Sequence, residues 1–184
     1  MPGHVPIVQP LPRYEVLREA AERYPDLDPS SCYAFLHLLR TGDELLTLDA
    51  EFLNRLGTRQ GRFNLMMIVA HCAHTLPAAA DLAECTGVSR ATVTGLLDGL
   101  ERDGLIERQS DPEDRRMVRI KLTARGQDLL DRVRPAYFRW LARILEPLDE
   151  SECGQLAYLL QKIRAQMAIL SAELQEQAAA PVQL

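Results

Sequence analysis

One short stretch of the chain combines small hydroxyl side chains with an arginine at the start of a predicted helix. Ser89 stands at the first position, and Arg90, Thr92 and Thr94 follow it on the outer side of the helix. Hydroxyl and guanidinium groups donate hydrogen bonds that suit base edges and phosphate oxygens. The first turn of a helix also offers unpaired backbone amides to an anion. These residues predict a helix whose N-terminal end contacts the major groove of duplex DNA.

A polar loop further along the chain carries a second group of charged residues. Residues 108–125 contain six cations and three acids, a local charge of +3 in a chain whose net charge is −5. Arg115 and Arg116 stand at the centre of this loop, where a guanidinium group can enter a narrow minor groove. We expect the carboxylate of Asp114 to orient the guanidinium group of one of these two arginines. The net charge alone argues against a polyanionic partner, but the local charge favours one.

The residues around these side chains predict the elements that position them. Residues 78–104 have the spacing of a helix-turn-helix, in which Gly87 permits the turn and Val88 fills it. Apolar side chains at helical spacing form the inner faces of its two helices: Ala79, Leu82, Ala83, Val93, Leu96, Leu97 and Leu100. Residues 105–106 begin a strand, and residues 117–122 alternate between polar and apolar side chains. The pattern predicts a β-hairpin with a long tip.

Long helices flank this central part. We predict a disordered tail at 1–12, N-terminal helices at 13–57, a DNA-binding lobe at 58–125, C-terminal helices at 126–174 and a frayed tail at 175–184. The flanking helices carry more apolar surface than one small domain can cover. The expected fold is mainly α with a small β-hairpin, and the flanking helices are expected to form a dimer with a second copy of the chain.

Several motifs in a fixed order resemble the MarR family of winged helix-turn-helix regulators. They lie at residues 81–83, 88–94, 100–108, 111–116 and 122–126, and the resemblance covers about residues 30–172. It implies a winged helix-turn-helix with a helical dimerisation region, acting as an intertwined homodimer on a pseudo-palindromic DNA operator. It also implies a repressor that is released by a small aromatic or phenolic acid and needs no cofactor.

An anionic aromatic effector needs a cation and aromatic or methionine walls. The junction of the helix at 31–56 with the helix at 59–73 offers Tyr33, His37, Arg40, Arg62, Phe63, Met66 and His74. The alternative interpretation is that Phe63 and Met66 belong to the core and that the arginines are surface or interface cations. Both interpretations remain open from the sequence.

Other sensing chemistries have weaker signals. His71 and His74 are three residues apart on one helical face, but no third ligand follows at helical spacing, so with Cys32 they are only weak metal candidates. Cys32 is also the candidate for a redox-sensitive thiol. A zinc- or redox-responsive repressor of the same fold is therefore the alternative function.

Two further function classes have less support. A helical dimeric adaptor would explain the flanking helices but not the hydroxyl-rich helix and basic loop. The sequence contains none of the nucleophile, zinc or phosphate-loop motifs of common enzymes, so we expect no catalytic activity. No apolar run is long enough for a membrane span, and prolines interrupt the first twelve residues, which favours a cytoplasmic protein.

Overall fold

The structure is a computed structural model, and it describes residues 10–72, 76–111 and 117–179. The elements of this part of the chain are α1 (Tyr14–Ala21), α2 (Pro29–Arg55), α3 (Gln60–His71), α4 (Ala79–Thr86), α5 (Arg90–Arg102), β1 (Ile106–Ser110), β2 (Val118–Leu122), α6 (Ala124–Ile144) and α7 (Glu150–Ala179). The predicted fold class, mainly α with a small β-hairpin, is confirmed. The chain divides after Val133 into two compact units.

The first unit begins with α1 lying on the start of α2. The carboxylate of Asp28 caps α2 by accepting hydrogen bonds from the backbone amides of Ser30 and Ser31, each at 3.2 Å. Hydrogen bonds from the Ser31 hydroxyl and from these amides hold the pKa of Asp28 below its ordinary value. The Tyr14 hydroxyl lies 3.0 Å from the Ser30 hydroxyl, which fastens α1 to the capped end of α2.

The core of the first unit is built around α3. Phe63 and Leu65 are both almost fully buried, although they lie on opposite sides of the helix. The helix α3 is therefore covered by other parts of the unit on more than one side. The other fully buried large side chains of the described residues are Leu53, Met66, Leu82, Val93, Leu97, Leu100, Ile106, Ile120, Leu130 and Val133.

The β-hairpin is joined to the segment before α4. Its two strands pair antiparallel, with Ile106 opposite Leu122. The backbone amide of Ile120 donates a hydrogen bond of 2.9 Å to the carbonyl of Pro77, and Ala78 forms an isolated bridge with Arg119. The base of the hairpin is therefore fixed to the beginning of the helix-turn-helix.

The second unit, residues 134–184, contains the rest of α6 and all of α7. Asp149 and Glu152 cap α7 reciprocally, because each carboxylate accepts a hydrogen bond from the backbone amide of the other, at 2.8 and 2.9 Å. The helix continues through Ala179, past the point at residue 175 where we expected it to fray. Within the described part of this unit, no residue is fully buried.

Large apolar side chains of α7 lie open along its length: Leu156, Tyr158, Leu159, Ile163, Met167, Ile169, Leu170 and Leu174. Met167 and Leu174 are 61% and 66% exposed. These side chains do not make α7 a membrane helix, because none of the helices in the described ranges is both long and apolar enough to cross a bilayer.

Candidate nucleic-acid interface

The four predicted contact residues on α5 lie together at its N-terminal end. Ser89 caps the helix by accepting a hydrogen bond of 3.2 Å from the backbone amide of Thr92, as its position in the sequence predicts. The Thr94 hydroxyl donates to the backbone carbonyl of Arg90 at 2.9 Å. All four side chains are exposed. The opposite face of α5 is anchored in the core, so the helix presents a rigid polar end to solvent.

A left-handed glycine connects α4 to α5. Gly87 has a φ of +65°, a conformation that residues with a Cβ rarely adopt, and it ends α4. Val88 was expected to fill the turn, but it is 42% exposed, because the chain has already turned at Gly87 and Val88 follows on the outside. The two helices and this turn form the predicted helix-turn-helix.

The tip of the hairpin, with Asp114, Arg115 and Arg116, lies outside the described residues. The described cations of the hairpin are held by acids of the same unit. Arg108 donates to Asp98 at 2.7 Å and also pairs with Glu101, and both acids stand on α5. The hydrogen bond to Asp98 is the main cause that raises the pKa of Arg108 above its ordinary value.

Arg119 fixes the base of the hairpin. Its guanidinium group donates to the half-buried carboxylate of Asp111 at 2.6 Å and to the backbone carbonyl of Leu76 at 3.2 Å. The carboxylate of Asp81, 4.0 Å away, also accepts a hydrogen bond from the backbone amide of Ala78. The local charge of +3 therefore overstates the positive charge that is open to DNA, because Arg108 and Arg119 are already neutralised within the unit.

Comparisons with known proteins identify this arrangement. The sequence model of the MarR family matches residues 65–117, from α3 through the hairpin tip. The HTH-type transcriptional repressor YetL of Bacillus subtilis is 30% identical over 150 residues, which are 82% of this chain and 90% of YetL. The chain belongs to the MarR family of transcriptional regulators. The expectation from the sequence motifs is confirmed.

Solved structures share the fold of this MarR-family chain. A cysteine-to-serine mutant of MarR from E. coli, complexed with operator DNA, has a TM-score of 0.61 at 25% identity and covers 69% of this chain and 91% of its own. CouR from Rhodococcus jostii RHA1, bound to p-coumaroyl-CoA, has a TM-score of 0.63 at 26% identity and covers 71% and 90%. The winged helix fold is common to both.

In this MarR-family chain the candidate effector residues do not form one site, because they lie in different parts of the fold. The rings of Tyr33 and His37 lie 4.4 Å apart on α2, and Arg40 follows on the same face, where it pairs with Glu44. Tyr14 of α1 meets Tyr33 edge-on at 5.7 Å. The structure thus brings the two ring side chains and the cation of α2 onto one face.

The remaining candidate effector residues do not join that face. Phe63 and Met66 are 2% and 1% exposed and belong to the core, where they have no surface for a ligand. Arg62 forms an ion pair of 2.5 Å with Asp103 beyond the end of α5. His74 lies outside the described residues.

Arg62, one of the candidate effector residues, lines a cleft whose other charged residues sequence reasoning missed. The cleft has a volume of about 620 Å³ and lies between the end of α2, α3, the end of α5 and the start of α6. Its charged lining residues are Arg62, Arg102, Asp103, Arg125, Asp128 and Arg132. The sequence contains no signal for these other residues, because the lining comes from three separate segments that share no motif.

The metal candidates do not converge in the described ranges. Among residues 10–72, 76–111 and 117–179, no group of three or more histidine, cysteine or acidic side chains is placed to hold an ion. His71 is exposed at the end of α3, and Cys32 is a partly buried free thiol near the start of α2. The redox role of Cys32 stays a prediction.

Proposed function

We propose that the chain is a dimeric repressor that binds a pseudo-palindromic DNA operator. The N-terminal end of α5 enters the major groove, and Arg115 and Arg116 contact the adjacent minor groove. The observation that carries the proposal is the capped, exposed end of α5, where Ser89, Arg90 and Thr92 offer donors to base edges and phosphates. The relationship to the repressor YetL and to MarR, solved with operator DNA, supports the same function.

The second unit supports dimerisation. A helical unit without a buried residue in its described part has no core of its own, so its apolar side chains need cover from another surface. Leu159, Ile163 and Leu170 form part of a row at helical spacing on α7 and are exposed. A second copy of the chain, with the same row, is the proposed cover. Two-fold symmetry then sets the centres of the two half-sites about 10 bp apart.

The effector of the repressor is proposed to be a small aromatic or phenolic acid. Tyr33, His37 and Arg40 stand at positions i, i+4 and i+7 of α2, so two rings and one cation share a face. A ring can receive an aromatic ligand, and a guanidinium group can receive its carboxylate. The related CouR is bound to p-coumaroyl-CoA, a ligand with a phenolic ring.

DNA binding is tested with the DNA that lies upstream of the protein's own gene. Fluorescence anisotropy should show binding to a discrete site within that DNA that is tighter than binding to a random duplex of the same length. Arg90→Ala should weaken specific binding by about 1–3 kcal/mol if Arg90 contacts a base. Arg139→Ala, an exposed arginine of α6 in the second unit, is the matched control and should bind as the wild type.

Two outcomes decide this test. Equal binding to the upstream DNA and to random DNA, in several neighbouring fragments, would contradict the repressor function. A uniform loss on all duplexes in Arg90→Ala would instead make Arg90 a phosphate contact.

The effector proposal is tested on the bound complex. Titration with p-coumarate or salicylate should release the operator, and Tyr33→Ala should raise the acid concentration required without changing DNA affinity. Release that is unchanged in Tyr33→Ala would place the effector away from this face of α2.

A further inference from the structure

An arginine of the hairpin is held by two acids of α5. The guanidinium group of Arg108, on β1, donates to the carboxylate of Asp98 at 2.7 Å and also donates to the carboxylate of Glu101. We call these three residues the Arg108 cluster. Two acids and one cation leave the cluster with a net charge of −1. The positive charge of Arg108 is therefore more than cancelled by its own neighbours.

The Arg108 cluster lies on the same side of α5 as two of the predicted DNA contacts. Thr94 stands one helical turn after Arg90, and Asp98 stands one turn after Thr94. Glu101 follows Asp98 by three residues, and residues three or four apart are neighbours on a helix surface. All of these side chains are at least partly open to solvent. This side of α5 thus begins with hydrogen-bond donors and ends with acids.

The two acids lie where DNA phosphates are expected. The major groove is about 12 Å wide, and Asp98 is only about 6 Å along the helix axis from Thr94. A helix that brings Thr94 to a base edge therefore brings the Arg108 cluster near the phosphates that border the groove. A free guanidinium group would donate to phosphate oxygens there, but the guanidinium group of Arg108 is already bound to carboxylates.

We propose that Asp98 and Glu101 hold Arg108 away from the DNA phosphates and thereby restrain the sequence-independent part of DNA affinity. This restraint rests on the DNA binding of the proposed function, because it requires that α5 enters the major groove. With Arg108 withheld, contacts at the Ser89 end of α5 provide a larger share of the binding free energy. Asp98 and Glu101 act through Arg108, so they are positioning residues and not DNA contacts.

The acids of the Arg108 cluster can be replaced without unfolding α5. The side chains of Asp98 and Glu101 are 50% and 40% exposed, and ion pairs between exposed groups contribute little to stability. The opposite face of α5 is anchored by buried residues, among them Val93 and Leu97. Asparagine and glutamine keep the shapes of the two side chains and remove only their charges.

The restraint is tested with the double variant Asp98→Asn, Glu101→Gln in the full-length protein. Fluorescence anisotropy measures binding to the upstream DNA and to a random duplex between low and moderate salt. The affinity of the variant for both duplexes should rise about tenfold at low salt, because Arg108 gains a phosphate. The slope of log affinity against log salt should become steeper by about 0.9, the value for one more phosphate contact. Unchanged affinity and slope on both duplexes would overturn the proposal.

The matched control removes two acids from another part of the same unit. Glu19 lies on α1 and Glu22 directly follows it, and both are exposed. Glu19→Gln combined with Glu22→Gln changes the net charge by the same amount and should leave the slope unchanged. Equal increases in the two double variants would mean that only the net charge of the chain matters, and would overturn the restraint.

A triple variant separates release of Arg108 from simple loss of repulsion. Adding Arg108→Gln to the double variant removes the guanidinium group that the loss of the acids sets free. The slope should then return to that of the wild type. A slope that stays steep in the triple variant would show that the acids repel DNA directly, and would overturn the role of Arg108. Denaturant unfolding of each variant confirms that the proteins compared are folded.

The single variants give a further test. Either acid alone keeps Arg108 paired, so the gains of Asp98→Asn and Glu101→Gln should together be smaller than the gain of the double variant. Fully additive gains would mean that the two acids act independently, which contradicts a shared hold on one arginine.

The two duplexes distinguish the restraint from the proposed function. A phosphate contact carries no sequence information, so the double variant should gain equally on both. If the wild type binds upstream and random DNA equally but the double variant gains on each, the repressor function fails and the restraint stands. If the wild type prefers the upstream DNA but the double variant gains on neither duplex, the restraint fails and the repressor function stands.

Discussion

Gly126 packs directly against the backbone carbonyl of Leu105. A Cβ atom added to Gly126 would lie 2.0 Å from that oxygen, well inside van der Waals contact. The same carbonyl accepts a hydrogen bond of 3.1 Å from the backbone amide of Thr123, and the Thr123 hydroxyl accepts one from the amide of Gly126. The first turn of α6 is thus fixed to the beginning of the hairpin by a contact that only glycine permits.

Gly126→Ala should therefore destabilise the protein by about 1–3 kcal/mol or more, because the added methyl group forces backbone apart. Gly99→Ala is the matched control in the same unit, since an added Cβ there meets nothing within 4 Å. In the interior of α5 an alanine should raise helix stability by up to about 1 kcal/mol. Denaturant unfolding measures both, and an unchanged midpoint in Gly126→Ala would disprove the close approach.

A second prediction concerns the guanidinium group of Arg119. Lysine has the same charge but cannot reach Asp111 and the Leu76 carbonyl together, because it lacks the rigid fork. Arg119→Lys and Arg119→Ala should therefore both lower stability by about 1–2 kcal/mol. Lys121→Ala, on the same strand and 52% exposed, should change stability by no more than about 0.5 kcal/mol.

If Arg119→Lys were as stable as the wild type, charge alone would matter at this position. The hairpin would then be held by its backbone pairing with residues 77–78.

Local signals in the sequence were sufficient for the helix-turn-helix. Gly87 at a left-handed turn, Ser89 as a helix cap and the buried row of Val93, Leu97 and Leu100 each depend on interactions within a few residues. Asp28 at the start of α2 is predictable for the same reason. Capping and helical periodicity act over one or two turns, so the order of side chains is enough to predict them.

Sequence patterns did not predict the interactions between distant segments. Arg119 looks like a DNA contact by its charge and position, but its partners Asp111 and Leu76 meet it only after folding. Likewise, the ion pair between Arg62 and Asp103 joins residues 41 positions apart. A count of charges along the chain cannot tell a paired arginine from an open one, because pairing depends on tertiary contacts.

The tip of the hairpin is expected to influence how DNA affinity changes with salt. Because Arg108 and Arg119 are paired inside the unit, this change should be determined more strongly by Arg115 and Arg116. Removing both by Arg115→Ala and Arg116→Ala should reduce the slope of log affinity against log salt by about 2. Arg108→Ala should alter stability more than the slope. Anisotropy titrations between low and moderate salt measure the slope, and an unchanged value would exclude the tip from the interface.

The last prediction concerns the acid stability that Asp103 contributes. Its hydrogen bond with Arg62 is the main cause that holds the pKa of Asp103 below its ordinary value in the folded state. A carboxylate with a lowered folded pKa stabilises the protein above its unfolded pKa, about 3.9, and this contribution is lost as pH falls through the folded pKa. Wild type should therefore lose stability more steeply below about pH 4 than Asp103→Asn.

Arg62→Gln removes the main cause of the lowered pKa of Asp103. This variant should therefore also lose stability less steeply than the wild type below about pH 4. Both substitutions remove the same ion pair. The pH dependence of stability in the double variant should therefore be no weaker than in either single variant. Denaturant midpoints between pH 7 and pH 3, at one protein concentration, give the comparison. Additive effects of the two substitutions would contradict the ion pair, because they would mean that Asp103 and Arg62 act through different partners.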